Sequence, residues 1–138
     1  MNFDFSKQKE KVLPIKEKTQ TSILRYDEIL YMECTGNLVS VFYTQNSLPI
    51  SYTSSLICNE TILGDFGFVR ISDNKIVNMY HVKKLNSKKR EIHMSNECIL
   101  EVSRRKWHKI AEFFKLRTTS DTIILTTYTI ISSTYKLR

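Results

Sequence analysis

Between residues 21 and 99, apolar and β-branched side chains come in short bursts: TSILRY, ILYMEC, LVSVFY, LPISYT, FVRI, KIVNMY, HVKKL, REIHM and CIL. Each burst is too short for a helix and suited to a strand. In LVSVFY, Val39, Val41 and Tyr43 alternate with Ser40, the two-residue period of a half-buried strand. Thr35-Gly36-Asn37, Gln45-Asn46-Ser47, Asn86-Ser87-Lys88 and Ser95-Asn96-Glu97 supply turn formers between bursts, so antiparallel hairpins are expected. A further strand is expected at 12–15. With 3 glycines in all, few of these turns can be of the glycine-dependent types.

Two segments carry a different period. In 54–63, Ser54 or Ser55 can cap, Gly64 can end a short helix, and Leu56 and Leu63 turn inward. In 103–116, Trp107, Ile110, Ala111 and Phe114 recur at i, i+3, i+4 and i+7, the stripe of an amphipathic helix. Residues 1–11, MNFDFSKQKEK, mix charges without periodicity and read as a flexible lead-in. Residues 118–138 form a β-branched tail that either adds a strand, pairs between chains, or packs poorly and invites aggregation. The fold class is therefore mainly β with two short helices, in one domain over 12–117.

Composition narrows the class. The 138 residues, 41% hydrophobic and 25% charged, are ordinary for one folded soluble domain. Cys34, Cys58 and Cys98 are an odd set without CxxC spacing, and no secretory leader or run of about 18–20 apolar residues appears, so a cytoplasmic location is expected. His81, His93 and His108 lack the paired spacings of a metal site, and His93 is expected to face solvent. Ser72-Asp73-Asn74-Lys75 overlaps two motifs of penicillin-recognising enzymes, but those enzymes use them on separate elements with a K-T-G strand that is missing here. With no glycine-rich phosphate loop or G-x-S-x-G either, no catalytic activity, cofactor or small-molecule ligand is expected.

Charge then points to a partner. Against 14 acidic residues stand 21 Lys and Arg, a formal +7, which suits a polyanion or merely solubility. Clustering favours the polyanion. Arg104, Arg105 and Lys106 follow Ser103, the expected N-cap, and fill a first helical turn where the macrodipole already disfavours cations. Such an end suits an anion, although solvated surface cations would cost little there. A second cluster, Lys83, Lys84, Lys88, Lys89 and Arg90, surrounds an expected hairpin turn. Protection of a sheet edge is the other reason for lysines in such a place.

The order of these pieces resembles the LytTR family of bacterial DNA-binding domains, known as output modules of response regulators, across roughly residues 12–116. The resemblance is carried by Asp27-Glu28-Ile29-Leu30-Tyr31-Met32-Glu33 with Gly36-Asn37, by Ser55-Leu56, by Phe68-Val69-Arg70-Ile71 before Ile76-Val77-Asn78, and by Val102-Ser103-Arg104-Arg105. It implies an elongated fold of small antiparallel sheets whose loops enter successive major grooves of double-stranded DNA and bend it. It also implies contacts near Asn37, at Asn74 and Lys75, and on Arg104 and Arg105. Lys83, Lys88, Lys89 and Lys106 join them as basic candidates. Arg105 is the foremost, since arginine donates two hydrogen bonds to guanine O6 and N7.

Two departures qualify the resemblance. Where the family usually has Ile-His-Arg-Ser-Tyr, this chain has Ile71-Ser72-Asp73-Asn74-Lys75, so a carboxylate stands in place of a cation. Asp73 repels phosphate but can accept from cytosine N4. No receiver domain precedes the match, so control is expected from self-association through the tail as a homodimer, from a partner protein, or from concentration. A protein-interaction module that has lost DNA affinity is the main alternative, and RNA binding, without an RRM signature, is a weaker one.

Overall fold

The computed structural model describes residues 5–121, with side chains through Phe114. Among the described residues, ten strands and two α-helices follow in chain order: β1 (Val12–Lys16), β2 (Thr21–Arg25), β3 (Ile29–Thr35), β4 (Leu38–Tyr43), β5 (Ile50–Thr53), α1 (Leu56–Leu63), β6 (Phe68–Ser72), β7 (Lys75–Asn78), β8 (Val82–Asn86), β9 (Glu91–Met94), β10 (Ile99–Glu101) and α2 (Arg104–Asp121). They build three antiparallel sheets: the β1-β2 hairpin, a central sheet in the order β5-β4-β3-β7-β6, and a small sheet in the order β10-β9-β8. The mainly β architecture expected from the apolar bursts is what forms.

The central sheet is covered on both faces. Ile29, Met32, Val39, Val41, Phe68 and Ile76 pack on one side with Leu13, Ile15 and Leu24 of the hairpin and Leu56 and Leu63 of α1. Leu30, Tyr31, Val69, Ile71 and Val77 pack on the other with Ile92, Met94 and Leu100 of the small sheet and Ile110 and Phe113 of α2. This explains the sequence pattern: strands buried on both faces read as continuous apolar runs, whereas β4, with its inward Val39 and Val41, alternates. A register shift in β3 between Ile29 and Tyr31 gives both faces bulky side chains and lets Tyr31 stack on Phe42 at 4.4 Å.

Helix α1 begins as expected. Ser55 caps it, its hydroxyl accepting from the Cys58 amide at 3.1 Å. Its end differs, because Gly64 keeps a right-handed conformation and a 3-10 turn continues to Phe66 before Gly67, at φ 93, reverses the chain. In α2 the deepest side chains are Ile110 and Phe113, with Trp107 and Phe114 half-buried, so the packed face is rotated from the expected stripe. The helix runs on to Asp121, and residues 118–121, expected to open the tail, lie within it. Residues 122–138, with the strand or inter-chain pairing expected there, lie outside the described residues.

The lead-in also differs from expectation. Phe5–Glu10 is a 3-10 helix whose Gln8 is fully buried. Gln8 Nε2 donates to Asn78 Oδ1 at 2.9 Å and to the Phe66 carbonyl at 2.6 Å, while Asn78 Nδ2 donates back to Gln8 Oε1 at 3.1 Å. Charge hid this segment: its anchors are the buried Gln8, whose partner Asn78 is 70 residues away, and the Phe5 ring, which packs on Tyr80 and Phe113.

A histidine ties two other loops together. His81 Nε2 donates to the Asp27 carbonyl at 2.6 Å, leaving Nδ1 to accept from Ser95 Oγ at 3.2 Å. Burial pushes this imidazole below its ordinary value of 6.5, against the upward pull of the Asp27 carbonyl and the Asp27 carboxylate. The folded chain therefore resists protonation that the unfolded chain accepts, so the His81 contribution is intact above pH 6.5 and declines as pH falls below it. Urea midpoints taken on either side of that pH should drop on the acid side, and His81→Gln should flatten the drop. An equal drop in the variant would assign the acid sensitivity elsewhere.

Candidate nucleic-acid interface

Antiparallel register decides which candidate residues meet. Thr35 pairs with Leu38 across the β3-β4 turn, and Glu33 pairs with Lys75 at the start of β7, so the β3-β4 and β6-β7 turns emerge at one end of the central sheet. In the first turn Gly36 takes φ 62, the left-handed first position of a II′-type loop, and Asn37 stands exposed beside it. The Asn37 carbonyl accepts from the Ser54 amide at 3.0 Å, which fixes the turn against the chain entering α1.

The β6-β7 turn is held from beneath. Arg70 donates from Nε to the Ser72 carbonyl at 3.1 Å and from Nη2 to the Asp73 carbonyl at 2.7 Å, and its Nη1 lies 3.4 Å from Glu60. Ser72 Oγ donates to Asn74 Oδ1 at 2.9 Å, and the Cys34 amide donates to the Asn74 carbonyl at 2.8 Å. Asn74 is thus half-buried and committed to the turn, and Lys75 pairs with Glu33 at 3.5 Å. Arg70 received no role from the sequence. Its one signal is that it is a lone cation in the otherwise apolar FVRI burst.

The start of α2 comes to the same end. Ser103 donates its backbone amide to the Ile71 carbonyl at 2.9 Å, and Arg105 Nη2 reaches Asp73 Oδ1 at 3.8 Å. The expected side-chain cap by Ser103 is not made. Its hydroxyl is turned into the protein, with no hydrogen-bond partner among the described residues, and the backbone amide of Ser103 makes the contact that fixes the helix start to β6. Arg104 and Arg105 are exposed and Lys106 is half-buried.

The β8-β9 turn joins this group through the small sheet. Glu91 pairs with Glu101, which places the turn beside the link from β10 to α2. There the Val102 amide donates to the Arg90 carbonyl at 2.8 Å, and Arg90, left-handed at φ 53, returns Nε to the Val102 carbonyl at 3.4 Å. Lys88 and Lys89 are exposed on the turn. Lys83 is not brought there. It lies toward the opposite end of β8, where its ammonium donates to Glu97 at 2.8 Å and holds that carboxyl below the usual carboxylate range. His93, expected in solvent, is half-buried on the outer face of β9 at 3.7 Å from Glu91, because it is paired in mid-sheet between Lys84 and Ile99.

One end of the domain therefore collects Asn37, Asn74, Lys88, Lys89, Arg104 and Arg105 from three turns and a helix start. Glu33 and Glu60 are paired there with Lys75 and Arg70, so Asp73, beside Arg105, stands among exposed cations that mostly project from backbone that hydrogen bonds immobilise. Among the described residues no cluster of three His, Cys, Asp or Glu could hold a metal, and no helix is long and apolar enough to cross a membrane.

The comparisons with known proteins agree with this architecture. No curated protein matches the chain significantly. Among solved structures, the LytTr DNA-binding domain of a Bacillus cereus protein described as a methyl-accepting/DNA response regulator superposes with a TM-score of 0.60 at 22% identity. That match covers 77% of this chain and 95% of the other, and it speaks to the fold. The LytTr DNA-binding domain family model matches residues 19–115. With most of its length accounted for in this way, the chain belongs to the LytTr DNA-binding domain family.

Proposed function

We propose that this chain is a sequence-reading, double-stranded DNA-binding module of a bacterial transcription regulator, gripping successive major grooves through its loops and bending the duplex. The observation that carries the reading is the convergence of the Gly36-Asn37 turn, the Asp73-Asn74 turn, the Lys88-Lys89 turn and the Arg104-Arg105 helix start at one end. In this reading Arg105 addresses a guanine edge, Asn37 and Asn74 flank it, and Arg104, Lys106, Lys88 and Lys89 meet phosphates. Lys75 reaches phosphate by exchanging its exposed partner Glu33, a pairing worth about 0–1 kcal/mol. Lys83, engaged with Glu97 at the other end, is left out of the surface.

Binding of purified protein to a random duplex pool, followed by anisotropy as salt is raised, tests this. Log affinity should fall linearly with log salt, with a slope of about −0.9 for each phosphate neutralised. Replacing Lys88 and Lys89 with Gln should lower that slope by about 2 and leave sequence preference unchanged. Arg105→Ala should instead remove about 1–3 kcal/mol of preference for selected over random duplex. Absence of duplex binding at low salt would overturn the reading in favour of a protein-interaction module.

A further inference from the structure

Asp73 is out of place on a surface meant only for phosphates. Its carboxylate is 98% exposed beside the basic start of α2, where a negative charge disfavours a phosphate backbone. Yet its turn is among the most firmly held parts of that end: Arg70 binds two of its carbonyls, Ser72 and Asn74 bind one another, and β3 binds the Asn74 carbonyl. The side chain it faces is Arg105, at 3.8 Å and itself 81% exposed. An acceptor and a double donor are thus mounted side by side on two anchored elements.

The major-groove edge of a guanine·cytosine pair has the complementary layout. Guanine presents two acceptors, N7 and O6, and cytosine presents the N4 amino donor next to them. O6 and N4 are partners in the base pair, so they lie at hydrogen-bond separation, about 3 Å. We propose that Asp73 and Arg105 read one guanine·cytosine pair together, Arg105 donating to guanine while Asp73 accepts from cytosine N4. The proposal rests on the DNA-reading function above and assigns Asp73 as a specificity-determining residue of it.

The pairing also sets what happens on other DNA. An adenine·thymine pair offers an acceptor where cytosine has its donor, so Asp73 is left opposite a thymine oxygen and repelled. Non-specific phosphate can take Arg105 only by parting it from Asp73, which leaves the carboxylate facing the polyanion unpaired. Asp73 therefore lowers affinity for random sequence and sharpens preference for the correct one. Arg70 acts as a positioning residue, since its guanidinium is engaged with the Ser72 and Asp73 carbonyls and Glu60.

The test compares the native chain, Arg105→Ala and Asp73→Ala in selection from a random duplex pool, followed by anisotropy on the selected duplex and on copies with each pair changed. The position where Arg105→Ala loses preference identifies the pair contacted. There the native chain should favour guanine·cytosine over adenine·thymine by about 10-fold or more. Asp73→Ala should cut that ratio several-fold while binding random duplex more tightly at low salt. Because the Asp73 side chain is exposed and its backbone bonds are unaffected, far-UV circular dichroism of the variant should match the native chain. An unchanged ratio, or weaker random binding, in Asp73→Ala would overturn the proposal while leaving the DNA reader standing. A native chain that binds no duplex would overturn both.

Discussion

Asn78→Ala should lower the unfolding free energy by about 3–5 kcal/mol, the combined effect of several buried groups losing their partners at about 1–3 kcal/mol each. Asn78 is fully buried where β7 ends. Its Nδ2 is shared among Gln8 Oε1 at 3.1 Å, the Tyr26 carbonyl at 3.2 Å and the Ile29 carbonyl at 2.9 Å. Its Oδ1 accepts from Gln8 Nε2 at 2.9 Å and from the Tyr80 amide at 3.1 Å. Alanine strands these groups in a space that excludes their alternatives. Urea denaturation measures the loss, and Gln8→Ala, which frees fewer groups, should cost less. Since the two side chains bond each other, their double variant should fall short of the summed losses by about 0.5–3 kcal/mol. A loss under about 1 kcal/mol for Asn78→Ala would show that the hub is not a main support of the fold.

Gly67→Ala is expected to cost about 2–3 kcal/mol by a different route. At φ 93 the backbone of Gly67 is left-handed, a conformation that costs an L-residue roughly 1–2 kcal/mol. An added Cβ would also run into the Phe5 ring, and Gln8 Nε2 would lie 3.5 Å away. The ring has to move, and the 3-10 helix moves with it. Trypsin should then cleave faster at Lys7 and Lys9, which are exposed on that helix. Gly36→Ala is the natural comparison, because it shares the positive φ but has nothing within 4 Å of its Cβ. It should show the backbone cost alone and leave the tryptic pattern unchanged.

What could be read from the sequence follows from how local each feature is. The strands were legible because apolar bursts and turn residues sit within a few positions of one another, and the Ser55 cap needs only Cys58. Features that depend on register over long distances were not. Nothing near Gln8 marks it as buried, nothing near His93 marks its mid-sheet pairing, and Phe113 becomes the deepest aromatic of α2 only because the helix lies against Phe5 and the sheet face that carries Leu30 and Val77. At the candidate interface, Arg104 and Arg105 stood out as a charge cluster. That Asp73 faces Arg105, that Arg70 holds the turn, and that Lys83 belongs to the other end all follow from sheet pairing.

The central position of β3 has a consequence for how the chain is made. β4 follows β3 immediately and can pair with it at once, but the other neighbour is β7, so Met32 waits for Ile76. On a ribosome the β3-β4 hairpin must emerge with one side of β3 unpaired until the chain through Asn78 has cleared the exit tunnel, and with Leu30 and Tyr31 uncovered for longer still, until β9, β10 and α2 follow. During that interval the nascent chain presents a sticky apolar strand, a period in which chaperones engage it most readily. Slowing translation between β4 and β7 should lengthen that interval and lower the soluble yield, with no change in the stability of the protein that does fold.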